Sequence, residues 1–114
     1  VLETVKDLWL NIAHIHGEDI MFNQVADYPV QIINWHDRHT APSLSEAQTQ
    51  FAGAVCGGLR RWETMAVGDP QTIRAEACQA INQTGGRRFI LGTGCVMPII
   101  TPHTNILAAR HSVD

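Results

Sequence analysis

The sequence predicts an α/β fold, four strand–helix units around one parallel sheet, and three observations predict it. Four apolar runs alternate with segments of helical spacing. The connections are short, so each crossover between strands carries its own helix. Polar and reactive residues gather directly after every apolar run: His14 and His16, then Asn34, Trp35 and His36, then Cys56, Gly57 and Gly58, then Gly94 and Cys95.

Residues 1–7 read as a helix tail or linker, and Leu8 to His16 form the first apolar strand. Glu18 to Ala26 has helical spacing, with Ile20, Met21, Val25 and Ala26 as its buried positions, and Tyr28-Pro29 breaks it. Val30 to Trp35 is the second strand and runs out into Asn34-Trp35-His36-Asp37. Ser43 or Ser45 caps a helix that continues through Gln50, because serine accepts from the free N–H groups of a first turn. Phe51 to Cys56 is a short third strand that ends at Gly57-Gly58. Asp69 is an N-cap, Pro70 suits the first helical position, and Ile73, Ala77, Ala80 and Ile81 form the apolar stripe of the helix that follows. The stretch from Asn82 to Gly86 stops that helix with a glycine pair. Phe89-Ile90-Leu91 opens the fourth strand, and Thr101-Pro102 opens a last helix with Ile106, Leu107 and Ala109 as its apolar residues.

The chain has 114 residues, 45% of them hydrophobic, which suits one domain spanning 1–114 with a core of its own. A net charge of -3, with no basic patch and only the isolated doublets Arg60-Arg61 and Arg87-Arg88, disfavours nucleic acid as a partner. No apolar run approaches the ~20 residues that span a bilayer, and no secretory leader pattern is present. Three cysteines without a Cys-x-x-Cys pair fit a reducing, cytoplasmic setting. The chain opens at Val1 in what reads as a helix end and stops soon after another helix begins, which predicts a piece of a longer protein.

Active sites of (β/α)8 enzymes are built at the carboxyl ends of their strands. The gathering of reactive residues there therefore favours half of such a barrel, although an open doubly wound sheet uses the same edge. His14 and His16 sit at i and i+2, so in a strand both imidazoles share a face. Cys95 stands where the fourth strand breaks at glycines. Two histidine nitrogens and one thiolate make a three-ligand zinc set, and three protein ligands with an open position mark a catalytic zinc site. Their bland alternatives are a core histidine, a loop histidine and a small apolar residue in a tight turn. Asn34 and Trp35 are expected to contact substrate or to pack. Gly57-Gly58 either admits a ligand closely or allows a tight turn. Cys78 is expected to be a buried, inert thiol, and Cys56 either core or site. His36, His39, His103 and His111 are expected to be exposed, Met21, Met65 and Met97 to fill the core, and Glu63 and Asp37 to be surface charges, with the alternative that they orient a histidine.

The run from Gly85-Gly86 through Gly92-Thr93-Gly94-Cys95 to Thr101-Pro102-His103-Thr104-Asn105-Ile106 closely resembles the C-terminal signature of the uroporphyrinogen decarboxylase family. His14-Ile15-His16-Gly17 resembles that family's His-x-Cys-Gly strand end, and Ile33-Asn34-Trp35 resembles its strand ending in Asp-Trp. Gly57-Gly58 and the helix start Gly68-Asp69-Pro70-Gln71-Thr72-Ile73-Arg74 resemble its glycine turn and following helix.

The resemblance implies the C-terminal half of a (β/α)8 barrel. The family has two main branches: metal-free decarboxylases of uroporphyrinogen, which serve porphyrin biosynthesis, and cobalamin-dependent methyltransferases that hold zinc. Cys95 falls where the decarboxylases place a functional histidine and where the methyltransferases place their last zinc-binding cysteine. His16 falls on the first cysteine of the methyltransferase set. The resemblance thus implies zinc at His14, His16 and Cys95, a substrate pocket with Asn34, Trp35, Gly57 and Gly58, and methyl transfer between a corrinoid or methylated donor and a thiol-type acceptor such as coenzyme M. A corrinoid protein is the implied partner. One alternative is a uroporphyrinogen decarboxylase, whose porphyrin-binding arginines and catalytic aspartate lie in the N-terminal half. Another is a non-catalytic half barrel whose open face drives formation of a homodimer.

Overall fold

The computed structural model describes residues 1–114. Four strands, β1 (Ile12–His14), β2 (Ile32–Asn34), β3 (Ala54–Leu59) and β4 (Phe89–Thr93), form one sheet in the order β1-β2-β3-β4, and every pair is parallel. The helices are α1 (Leu2–Val5), α2 (Phe22–Val25), α3 (Leu44–Gln50), α4 (Pro70–Thr84) and α5 (His103–Arg110). A π-helical turn, Arg61–Ala66, follows β3 and a short 3-10 turn, His111–Val113, follows α5. No helix is long and apolar enough to cross a membrane.

Strands adjacent in sequence are neighbours throughout. A doubly wound sheet reverses its order at a switch point, and this sheet does not. Right-handed crossovers that always step the same way place the helices on one face. The result is a partial (β/α)8 barrel.

Strand register shows the two faces. Ala13, Ile33, Val55 and Phe89 lie side by side and turn toward the helices, where Ile33 and Val55 are wholly buried in the main core. The alternate row, His14, Asn34, Cys56 and Ile90, turns the other way. That face is exposed at the outer strands, where Ile12 is 57% exposed and Ile90 43%, while Ile32 between them is buried.

The strand limits differ from the expected ones. β1 is a short piece of the run from Leu8 to His16, because Leu8 and Trp9 stand in solvent. β2 stops before Trp35, which leaves the ladder and enters the core. β3 takes in Gly57 and Gly58 instead of ending at Cys56. A Cβ at Gly57 would collide with the Asp37 carboxylate, and Gly58 has φ +103° with an ideal Cβ position only 2.6 Å from Ala80 Cβ. These glycines permit close packing, not ligand approach. The helix expected over Glu18 to Ala26 is reduced to the single turn α2, and Met21 before it is left-handed and exposed, not a core filler.

The longer helices follow their signals. Ser43 caps α3 in a capping box with Glu46. α4 starts at Asp69-Pro70, buries Ile73, Ala77 and Ala80, and stops at Gly85 in the left-handed conformation. Cys78 lies on its exposed side, contrary to expectation, and is not a buried thiol. In α5, the buried Asn105 donates from Nδ2 to the carbonyls of Met65 (3.0 Å) and Gly68 (2.8 Å). This clamps the last helix to the π-helical turn and gives the asparagine of the Thr-Pro-x-x-Asn motif a structural role.

Trp35 is fully buried, packs on Phe22 with ring centroids 4.9 Å apart, and donates from Nε1 to the Pro42 carbonyl at 3.0 Å. It is a core anchor and does not line a substrate pocket. Trp35→Phe is expected to lower stability by about 2–3 kcal/mol, since it strands a buried carbonyl and leaves a void. Urea denaturation measures this, and a loss within about 0.5 kcal/mol would show that Trp35 anchors nothing.

The Thr72 N–H donates to Asp69 at 2.8 Å, and that bond holds the Asp69 carboxyl below its ordinary range. A lowered folded-state pKa adds stability above the unfolded value, and the gain is lost as pH falls through the folded one. Asparagine caps helices without titrating. Asp69→Asn is therefore expected to lose less stability than the parent chain between neutral pH and the acid side of the carboxylate range. Equal losses in paired denaturation curves would contradict the cap's ionic contribution.

Candidate metal centre

Three loops at the carboxyl ends of the strands meet at one edge of the sheet. The loop after β1 carries His16 and turns at Gly17, whose φ is +130°. The loop after β2 carries His36 and His39, the latter's N–H donating back to the His36 carbonyl at 2.9 Å. The turn after β4 carries Cys95, and the Thr93 hydroxyl braces it by donating to the Cys95 carbonyl at 2.6 Å.

Gly94 explains why these last two loops touch. An ideal Cβ at Gly94 would lie 2.7 Å from His36 Cα and 2.8 Å from the Trp35 carbonyl oxygen. Only glycine lets the turn come so close, and the contact brings Cys95 to His36.

Polar pairing fixes the second loop from below. Asp37 accepts the Gly58 N–H at 3.0 Å, and burial pushes its carboxyl above the ordinary range. It is not the surface charge expected. Arg38 donates to the carbonyls of Gly58 (2.9 Å) and Glu76 (2.8 Å) and to Gln79 (3.1 Å). The loop is thereby held against β3 and α4.

His16, His36 and Cys95 bring one ligand atom each to within 4.8 Å of one another. The His16 and His36 rings stand edge to face with centroids 5.0 Å apart. His36 Nε2 is buried and has no hydrogen-bond partner. Partial burial, and then the nearby Arg61 charge, lower the pKa of His36, which favours the neutral imidazole a metal requires. Beside the cluster lies a polar cleft of about 250 Å³, lined by His16, Glu18, His36, His39 and Arg61.

Of the expected ligands, His16 and Cys95 are brought together, and His14 is not. β1 ends at His14, so the period of two no longer governs His16, which turns away toward the next loop. The His14 ring lies 6.3 Å from that of His16, and its Nδ1 bonds Asn34 Oδ1 at 2.7 Å. His36, expected to be exposed, takes the third place. It stands two residues beyond the end of β2, as His16 stands two beyond β1, a match that only the observed strand ends bring out. Of the expected substrate residues, Asn34 stands in the open-face row. Trp35, Gly57 and Gly58 serve packing instead. Cys56 lies beside Asn34 in the same row, its thiol pKa raised by burial.

Among solved structures, a methyltransferase from Methanosarcina mazei superposes with a TM-score of 0.82 at 20% sequence identity, over 98% of this chain and 33% of that one. At that identity the likeness shows the fold, and this chain spans about a third of its length. No curated protein matches the sequence. The family model for uroporphyrinogen decarboxylase (URO-D) matches residues 1–114. With the one-directional parallel sheet, this match over the whole length makes the chain a member of the uroporphyrinogen decarboxylase family.

Proposed function

We propose that the chain forms the zinc-binding part of a methyltransferase-type member of this family, one that moves a methyl group between a corrinoid or other methylated donor and a thiol-type acceptor. The observation that carries the proposal is the convergence of His16, His36 and Cys95 within 4.8 Å. The donor set fits zinc, which favours histidine nitrogen and cysteine sulfur. The orphaned His36 Nε2 supports the same reading, since a buried polar atom without a partner costs free energy unless something binds it.

Bound there, zinc would supply Lewis acidity that lowers the pKa of an acceptor thiol and makes it nucleophilic near neutral pH. The protein's own residues provide the setting. Gly94 and Thr93 deliver Cys95 against the His36 loop. Arg61 and His39 line the cleft and offer donors to the polar end of a small substrate. The donor would arrive on a corrinoid protein at the open side of the sheet.

Metal analysis by plasma mass spectrometry, on folded protein never exposed to chelator, tests the proposal. About one zinc per chain is expected, as for a three-ligand site. Cys95→Ser and His36→Ala should each lose most of it, while His103→Ala should keep it. No metal in the parent chain would remove the zinc mechanism.

A second reading concerns assembly. The open face with Ile12 and Ile90, together with the unpaired outer edges of β1 and β4, favours self-association into a homodimer. Light scattering during size exclusion should give twice the chain mass or more. A monomer at concentrations near ~100 µM would exclude a stable dimer interface of standard size.

A further inference from the structure

His14 lies outside the cluster, yet its hydrogen bonding is unusually well determined. Asn34 sits in the register row between His14 on β1 and Cys56 on β3. Its Nδ2 donates to two carbonyl oxygens, Cys56 at 2.9 Å and Thr93 at 3.1 Å. A carbonyl oxygen only accepts, so the side-chain amide has one sensible orientation, with both N–H groups spent and Oδ1 turned to His14. The reversed amide would set its oxygen against two other oxygens. Oδ1 also only accepts. The 2.7 Å contact between His14 Nδ1 and Asn34 Oδ1 therefore requires the proton on Nδ1. In a neutral imidazole the lone pair is then on Nε2.

We propose that Asn34 is a positioning residue: its amide, fixed by β3 and β4, holds His14 as the Nδ1–H tautomer and so keeps Nε2 unprotonated, an exchangeable fourth nitrogen for the position that His16, His36 and Cys95 leave open, to be displaced there by the acceptor thiol. The inference deepens the zinc reading and rests on it for the ligand role alone; the tautomer belongs to the metal-free protein. Metal-binding histidines typically donate their other ring N–H to an oxygen, which fixes ring and tautomer, and losing that partner typically costs 10–100-fold in metal affinity. Asn34 gives His14 this support before any metal binds. It also connects the site to three strands through one side chain, since its neighbours come from β1, β3 and β4.

The first test is a long-range proton–nitrogen correlation spectrum of the nitrogen-labelled, metal-free chain, above the ordinary imidazole titration range, with His14 assigned by comparison with His14→Gln. The expected result is a protonated Nδ1 and an unprotonated Nε2 at His14. A protonated Nε2, or rapid averaging between the two forms, overturns the proposal, and this outcome needs no variant at Asn34 to fold. Asn34→Ala should release the tautomer toward averaging while circular dichroism stays that of the parent; a locked Nδ1–H form in that variant would also overturn it.

The second test adds zinc to the parent chain. His14 Nε2 should shift strongly, and Asn34→Ala should bind zinc about 10–100-fold more weakly. An unshifted Nε2 with zinc bound at His16 and Cys95 would remove the ligand role. Zinc failing to bind the parent chain at all would overturn the zinc reading, and the tautomer would stand or fall on the metal-free spectrum.

Discussion

The strand-end site depends on where β2 sends Trp35. Ile33 and Trp35 share the helix-side parity of the strand, and both are fully buried. Swallowing the indole drags the backbone with it. The Trp35 carbonyl then becomes the surface on which Gly94 packs, and the next residue, His36, has its Nε2 buried without a hydrogen-bond partner. Its hydrogen bond to Pro42 closes the loop that carries His36 and His39, so a core contact decides the geometry of a surface site.

Charge completes what packing begins. Glu76 is almost wholly buried, pairs with the Arg60 guanidinium, and accepts the Arg60 N–H at 3.1 Å. Arg38 spans from the Gly58 carbonyl to the Glu76 carbonyl, and Asp37 accepts from Gly58. Burying such groups costs solvation that their attraction only roughly offsets. Their contribution is better read as positional. They tie the loop after β2, the end of β3 and the middle of α4 into one unit, and the two glycines of β3 leave the room for it. A larger residue at Gly57 would strike the Asp37 carboxylate, so the pairing requires the glycine.

The sequence was legible where local chemistry decides structure. Asp69-Pro70 and Gly85 bracket α4, and Ser43 with Glu46 starts α3, because capping is satisfied within a few residues. The alternation of strands and helices was legible for the same reason, and the family signature was legible in its motif residues. The strand ends were not. Whether Gly57-Gly58 stops a strand or lies within it depends on Asp37 and Ala80, which arrive from elsewhere in the chain. The π-helical turn Arg61–Ala66 carries no periodic signal, and it depends on Asn105 reaching back from α5. His36 looked like any polar residue in a loop. Its place in the cluster follows from the burial of Trp35 and the absence of a side chain at Gly94, two facts of packing that no spacing within the loop reveals.

The donors of the cluster come from the loops after β1, β2 and β4, so no fragment with fewer than these strands in register assembles it. A ligand that binds all three donors binds the folded sheet and not the unfolded chain, and it adds to folding stability by mass action. β1 gains most from this. It is an edge strand with a single ladder to β2 and a solvent-exposed Ile12, the least supported strand of the sheet. His14 and His16 both belong to its end, one bonded to Asn34 and the other facing His36. Asn34 holds this edge to the rest of the sheet through side-chain contacts, where backbone pairing is short. The same contacts that prepare ligand nitrogens also secure the strand, so the chemistry of the site and the closure of the sheet are one constraint.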